Sequence, residues 1–187
     1  MTLKKIMLGI NREMIPNIGF YMMSLFFKVY YFFRPQDKYF SSFGIKHNFV
    51  VIDYGCGPGD YIKLASEAVG EKGKVYAVDI HRLAIKSVKK LIKRRNIHNV
   101  IPVQADGYSC NIKDNKADLI YALDMFHMIE DVNPFLNELN RLLKKDGILI
   151  LEDGHQKRES SKDKVRNSGK WEIMEETERY IKCKPVK

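Results

Sequence analysis

From Asn48 onward the chain alternates between short apolar runs and longer amphipathic stretches. The segments 49–53, 74–80, 99–104, 118–123 and 148–152 are short, rich in Val and Ile, and bounded by Gly, Asp or Asn, as buried strands are. Between them, 60–69, 81–95 and 134–144 carry apolar residues at helical spacing. Strands separated by helices predict an α/β fold whose sheet is mostly parallel, with helices on both faces. The tail breaks the rhythm. Segments 171–176 and 179–184 read as strands, but the gap between them is too short for a parallel crossover. They are expected to form an antiparallel hairpin.

Local punctuation supports these bounds. Gly70 stops the first helix of the alternation. Pro134 falls in the first turn of the last one and Gly147 just past its end, the expected asymmetry. We place the domain at 48–187 and an N-terminal helical arm, or lid, at 1–47. The arm holds a dense apolar and aromatic run from Ile18 to Phe33, stopped at Arg34-Pro35 because the residue before proline disfavours helix. Its polar positions Asn17, Ser24 and Lys28 share one helical face. A short helix over 37–43, closed by Gly44, is expected to follow. The apolar run falls short of the roughly 20 residues a membrane span needs, and no small-residue cleavage site follows it. It reads as a helix packed on the domain. The sharper reading is a helix lying in a membrane interface or covering a greasy substrate.

The 187 residues suit one domain with an extension. Cys56, Cys110 and Cys183 are far apart and form no C-x-x-C pair, which excludes a disulfide framework and a zinc knuckle and fits a reducing compartment. No metal is expected, and the location expected is cytoplasmic, with peripheral membrane contact through the arm as the variant reading. The formal charge of +9 suits nucleic acid, anionic lipid or an anionic small molecule without choosing among them.

The most informative loop is Gly55-Cys56-Gly57-Pro58-Gly59, between the first strand and the next helix. Glycines there let backbone approach a ligand. Their G-x-G-x-G spacing differs from the dinucleotide fingerprint, G-x-G-x-x-G. Asp60 follows, and a carboxylate at that helix start suits a cation better than a diphosphate. Asp79, ending the second strand, is placed to accept from both hydroxyls of a ribose; its alternative role is to cap the next helix. Asp106 and Gly107 follow the third strand, Leu123 and Asp124 the fourth. All lie at the C-terminal ends of parallel strands, where open α/β sheets bind ligands.

Taken together, Val51-Ile52-Asp53-Tyr54-Gly55-Cys56-Gly57-Pro58-Gly59, Val78-Asp79-Ile80, Ala105-Asp106-Gly107 and Leu142 to Ile150 resemble the motifs of class I S-adenosylmethionine-dependent methyltransferases. The subgroup most similar is the small ubiquinone/menaquinone-biosynthesis-like one, over roughly residues 45 to 187. The resemblance implies a Rossmann-like sheet ending in an antiparallel hairpin. It implies S-adenosylmethionine as cofactor and S-adenosylhomocysteine as product. By the same resemblance Gly55, Cys56, Gly57 and Gly59 line the methionine and ribose part. Asp79 and Ile80 belong to the ribose motif. Asp106 and Gly107 serve the adenine, backbone near Leu123 the methionine amino end, and Asp53 organises the loop from beneath.

The donor sulfonium is already a good electrophile, so alignment of the nucleophile dominates. Polar groups expected near the transferred methyl are Asp124, His127, Glu130, Asp131 and His155. Asp124, His127 and His155 are the catalytic candidates, histidine being a base near neutral pH; the plain alternative is that both histidines only order loops. Where many enzymes that methylate nucleic-acid or protein amines carry Asn/Asp-Pro-Pro-Tyr, this chain has Asp124-Met125-Phe126-His127. The aromatic arm (Tyr21, Phe26, Phe27, Tyr30, Tyr31, Phe32) favours a small hydrophobic or amphipathic acceptor. The basic helix face Lys86 to Arg95 reads as solvated, with no aromatics interleaved for RNA stacking. RNA methylation and non-catalytic cofactor binding are the alternative readings.

Overall fold

The computed structural model describes residues 15–33 and 36–186, the Phe32 side chain excepted. Residues 1–14 of the arm and the expected helix stop at Arg34-Pro35 lie outside them. Among the described residues the first elements are α1 (Asn17–Phe33) and α2 (Asp37–Ser41). The alternation follows: β1 (Val50–Tyr54), α3 (Ile62–Val69), β2 (Lys74–Asp79), α4 (Arg82–Arg95), β3 (Val100–Gln104) and β4 (Ala117–Ala122). A 3-10 turn (Phe126–Met128) leads to α5 (Val132–Leu142) and β5 (Leu143–Glu152). The chain closes with α6 (Arg158–Asn167), β6 (Trp171–Glu176) and β7 (Tyr180–Pro185).

The seven strands form one sheet in the order β3-β2-β1-β4-β5-β7-β6. The strands from β3 to β5 are parallel. Strand β7 runs antiparallel to both β5 and β6. The expected hairpin therefore exists, and its second strand is the one that pairs with β5, leaving β6 at the sheet edge.

Central strands are buried on both faces. Ile52, Ile120, Leu149 and Leu151 point into one core with Phe135, Leu136, Leu139, Val165 and Trp171. Val51, Leu119, Tyr121 and Ile150 point into the other with Phe40, Phe43, Ile62, Val69 and Val88. This two-sided burial makes the runs continuously apolar rather than alternating.

Two details depart from the sequence reading. Helix α6 was not expected: only Ser161 and Val165 of it are buried, too few apolar positions for a periodic signal. Gly147 does not cap the helix before it. Helix α5 ends at Leu142, with Leu143 already extended (φ −82°, ψ 141°), and Gly147 lies inside β5. Between Ala117 and Leu119 the register with β5 shifts. A side chain at Gly147 would meet Leu143 at 2.7 Å and the Asp118 carbonyl at 3.1 Å, so the glycine serves close strand packing.

Candidate active site

The cleft opens where the sheet changes direction, at the C-terminal ends of β1, β2 and β4. Its floor is the glycine loop, hung from β2 by the amides of Gly55 and Cys56, which donate to the Val78 carbonyl at 2.8 and 3.0 Å. Gly57 has φ +50°, and a Cβ there would meet nothing within 4 Å, so its bare face looks into open space. Gly59 has a different reason: φ is +94° and a Cβ would meet Val88 and Leu91 of α4, both at 3.2 Å. Gly57 thus leaves room for a ligand, whereas Gly59 lets a helix pack closely. The Ser87 hydroxyl ties α4 back to the loop by donating to the Pro58 carbonyl at 3.0 Å.

Asp79 does not cap α4. That role belongs to His81, whose Nδ1 accepts from the Leu83 amide at 3.1 Å. One Asp79 oxygen accepts from the Gly57 amide at 2.9 Å and the other from the His81 amide at 2.7 Å. Each oxygen keeps a lone pair. Burial raises the Asp79 carboxyl, and these two amides pull it back down. Asp53 lies beneath the loop, fully buried, its Oδ2 without a hydrogen-bond partner. Burial pushes it up to about 8, with the neighbouring Tyr121 hydroxyl offsetting part of the effect. Asp60 is pushed up to about 6, also by burial.

Five carboxyl groups line the cleft, namely Asp53, Asp60, Asp79, Asp124 and Glu152, and among the described residues no lysine or arginine does. On a chain with a formal charge of +9 that local reversal is selective. It favours a cationic ligand and disfavours a diphosphate.

The roof is α1. Phe20, Met23, Phe27 and Tyr31 line the cleft from one face of that helix. At one end Phe20 stacks on the His81 ring (centroids 4.7 Å, 16°), and His81 Nε2 lies 3.1 Å from the Ile15 carbonyl. At the other, the Tyr31 and Tyr61 hydroxyls are 3.4 Å apart. The helix is thereby attached just past Asp79 and just past the glycine loop.

Of the expected cofactor residues, Asp53, Gly55, Cys56, Gly57, Asp79, Ile80, Gly107 and Leu123 line the cleft. Gly59 lies behind it, and Asp106 is exposed in a turn whose amide donates to the Ser109 carbonyl at 2.8 Å. Asp124 is on the cleft wall, whereas His127 and His155 lie beside it. The fold brings ligand atoms of these three within 4.8 Å of one another. Glu130 and Asp131 are not among the lining residues. Sequence reasoning missed Tyr61, His81, Tyr108 and Glu152 as wall residues. His81 was findable, two positions after Asp79 at a helix start. Glu152 was not, because its role depends on where β5 ends beside β4.

A sheet of this order, with a glycine-floored cleft at its switch point, defines the class I methyltransferase fold. The chain belongs to the methyltransferase-domain family, whose pattern matches residues 45–183. It is similar to the demethylmenaquinone methyltransferase of Geobacillus stearothermophilus, 29% identical over 99 residues, covering 53% of this chain and 42% of the relative. It is also similar to the ubiquinone/menaquinone biosynthesis C-methyltransferase UbiE of Shewanella sp. (strain ANA-3), 33% identical over 111 residues, covering 58% and 44%. The chain thus spans less than half the length of these relatives. Among solved structures, a SAM-dependent methyltransferase from Aquifex aeolicus superposes with a TM-score of 0.74 at 24% identity, over 81% of this chain and 90% of that one.

Proposed function

We propose that this chain transfers a methyl group from S-adenosylmethionine to a small hydrophobic or amphipathic acceptor. The observation that carries the reading is a cleft with a carboxylate-rich floor and an apolar roof. The donor has a sulfonium and an ammonium, and both fit a wall holding Asp53, Asp60, Asp79, Asp124 and Glu152. In this reading the free lone pairs of Asp79 take the ribose hydroxyls and the bare face of Gly57 lies against the nucleoside. Gly55, Cys56, Gly107, Ile80 and Leu123 surround it, with Asp106 reaching in from the rim to the adenine amine. The buried Asp53 faces the amino end, directly or through water.

The roof faces the acceptor. Phe20, Met23, Phe27 and Tyr31 present rings and a thioether, which suit a flat apolar molecule. The names of the relatives, which mention menaquinone and ubiquinone, point the same way, toward a quinone-type ring. Bound donor supplies the electrophilic methyl; the protein's part is to align the acceptor and exclude water. An RNA acceptor gains no support from a cleft wall that has no lysine or arginine among the described residues.

Helix α1 has a second apolar face, turned away from the cleft. Ile18, Met22, Leu25, Phe26 and Phe33 are 76, 71, 65, 63 and 75% exposed. Uncovered apolar area of this extent on one helix marks an interaction surface. No helix among the described residues is long and apolar enough to cross a membrane. We therefore read the outer face as a peripheral contact with an anionic bilayer, favoured by the chain's positive charge.

The test is thermal unfolding with S-adenosylhomocysteine against NAD. A ligand at 100 times its Kd stabilises by about 2.7 kcal/mol. Stabilisation by the former alone is expected; stabilisation by NAD alone overturns the reading. Labelled-methyl transfer to quinol, thiol, lipid and RNA acceptors then selects the acceptor class.

A further inference from the structure

We propose that Asp124, His127 and His155 form a binding site for a divalent transition-metal ion of the zinc type, set into the edge of the cleft. From sequence these three residues are expected near one cleft, with no metal there, and the two histidines belong to different loops, after β4 and after β5. The parallel pairing of those strands brings the loops side by side. One ligand atom from each of the three residues then lies within 4.8 Å of the others. The imidazole rings stand edge to face, with centroids 4.9 Å apart at 77°. Ligands around a tetrahedral zinc lie about 3.3 Å apart, from metal–ligand bonds of about 2.0–2.1 Å. His155 is exposed, so its side chain has the freedom to close that gap.

Three further observations point to a ligand. His127 Nδ1 is buried and has no hydrogen-bond partner. A ring nitrogen left so is costly unless something binds it. Next, Asp124 holds φ +50°, a left-handed conformation, on the cleft wall. Non-glycine residues there are uncommon and gather at functional sites. Third, Gly154 (φ +63°) seats the His127 ring: a Cβ there would lie 2.0 Å from Nδ1.

Two imidazoles and one carboxylate are a donor set for zinc and its neighbours, and three protein ligands leave one position open. Because Asp124 belongs to both the cluster and the cleft wall, the ion stands at the cleft edge. The substrate consequence rests on the methyl-transfer reading above. An acceptor hydroxyl or thiol at the open position loses its proton to solvent more easily. Its oxygen or sulfur then bonds to the methyl carbon as the methyl–sulfonium bond breaks. That electron pair stays on the donor sulfur, which becomes a neutral thioether.

The experiment is titration of the purified, chelator-treated full chain with Zn2+, with Co2+ as a spectroscopic stand-in. One ion per chain and visible Co2+ bands of nitrogen–oxygen ligation are expected. His155→Ala removes an exposed loop side chain and should weaken binding by at least about tenfold. Gly154→Ala should do the same by displacing the His127 ring. No binding, or equal binding by both variants, overturns the site. The S-adenosylhomocysteine thermal shift, measured without metal on the same proteins, reports separately on the methyltransferase reading.

Discussion

Asp79 does two jobs at once, and its substitutions separate them. Its oxygens already hold the Gly57 and His81 amides, so it shapes the loop before any ligand arrives. Asp79→Asn keeps one acceptor oxygen and loses the other. We expect a stability loss of about 1 kcal/mol, read by denaturant unfolding. The affinity for S-adenosylhomocysteine should fall by at least about tenfold, or 1.4 kcal/mol. A variant that binds as tightly as the parent removes Asp79 from the ribose role. Asp53 gives a pH signature instead. Its folded value near 8 stands far above an unfolded value of about 4. Between those values the folded state holds a proton that the unfolded chain lacks. This group's contribution to stability therefore declines as pH rises through that window. A cationic ligand favours the ionised carboxylate, so binding expels the proton and tightens with rising pH toward 8. One coupled proton limits the gain to about tenfold per pH unit. Calorimetry in two buffers of different ionisation heat should detect the released proton, and Asp53→Asn should abolish it. The glycine loop, Asp53 and Asp79 were legible from sequence because each is marked locally by a strand end. Tyr61 and Glu152 were not, and although His127 and His155 were both expected near the transferred methyl, the direct contact of their rings was not foreseen. Those depend on which strands pair, and pairing leaves no mark in a short stretch of chain.

At the scale of elements, the loop after β3 shows how a cleft wall is held. Tyr54 donates to the Tyr108 carbonyl, and the Asp131 amide donates to the Tyr108 hydroxyl at 3.0 Å. Glu138 on α5, only 7% exposed, accepts from the Cys110 amide at 3.0 Å and from Arg141 Nε at 2.8 Å. Arg141 also donates to the Ile112 carbonyl at 2.8 Å and pairs with Asp114. Helix α5 thus fixes the loop that carries Gly107. Glu138→Ala leaves the Cys110 amide without its partner and takes two hydrogen bonds from the Arg141 guanidinium, which keeps Asp114 and the Ile112 carbonyl. We expect a loss of about 1–3 kcal/mol, measured by chemical denaturation. A change below about 0.5 kcal/mol would mean the network is solvated. The same scale explains what sequence patterning misread. Lys144, Lys145 and Asp146 read as a polar helix end and turn, yet β5 begins at Leu143, which pairs with Ala117 across the register shift. Polar side chains on an exposed strand end hide a strand from any hydrophobic count. Helix α6 escaped for a related reason, since only two of its positions are buried and its other links include ion pairs, such as Arg158 with Asp153 and Lys162 with Glu176.

For the molecule as a whole, α1 carries two apolar faces, one lining the cleft and one exposed. At about 1.5 Å per residue its 17 residues reach only about 25 Å, which suits lying along a bilayer surface. The protein should sediment with anionic phospholipid vesicles, less so at high salt. Replacing Leu25 and Phe26 together by Ser should release it while leaving the S-adenosylhomocysteine thermal shift intact. Failure of the parent protein to sediment assigns the outer face to something other than lipid.

The placement of β7 bears on how the chain is made. Strand β6 leaves the ribosome before β7, yet in the sheet it is joined only through β7, which lies between it and β5. Until Tyr180–Pro185 has emerged, β6 has no partner and β5 presents a bare edge of backbone donors and acceptors. A nascent chain stalled before Tyr180 is therefore a candidate for chaperone capture. One extended past Pro185 can close the sheet in a single insertion, with the parallel strands already formed as the template.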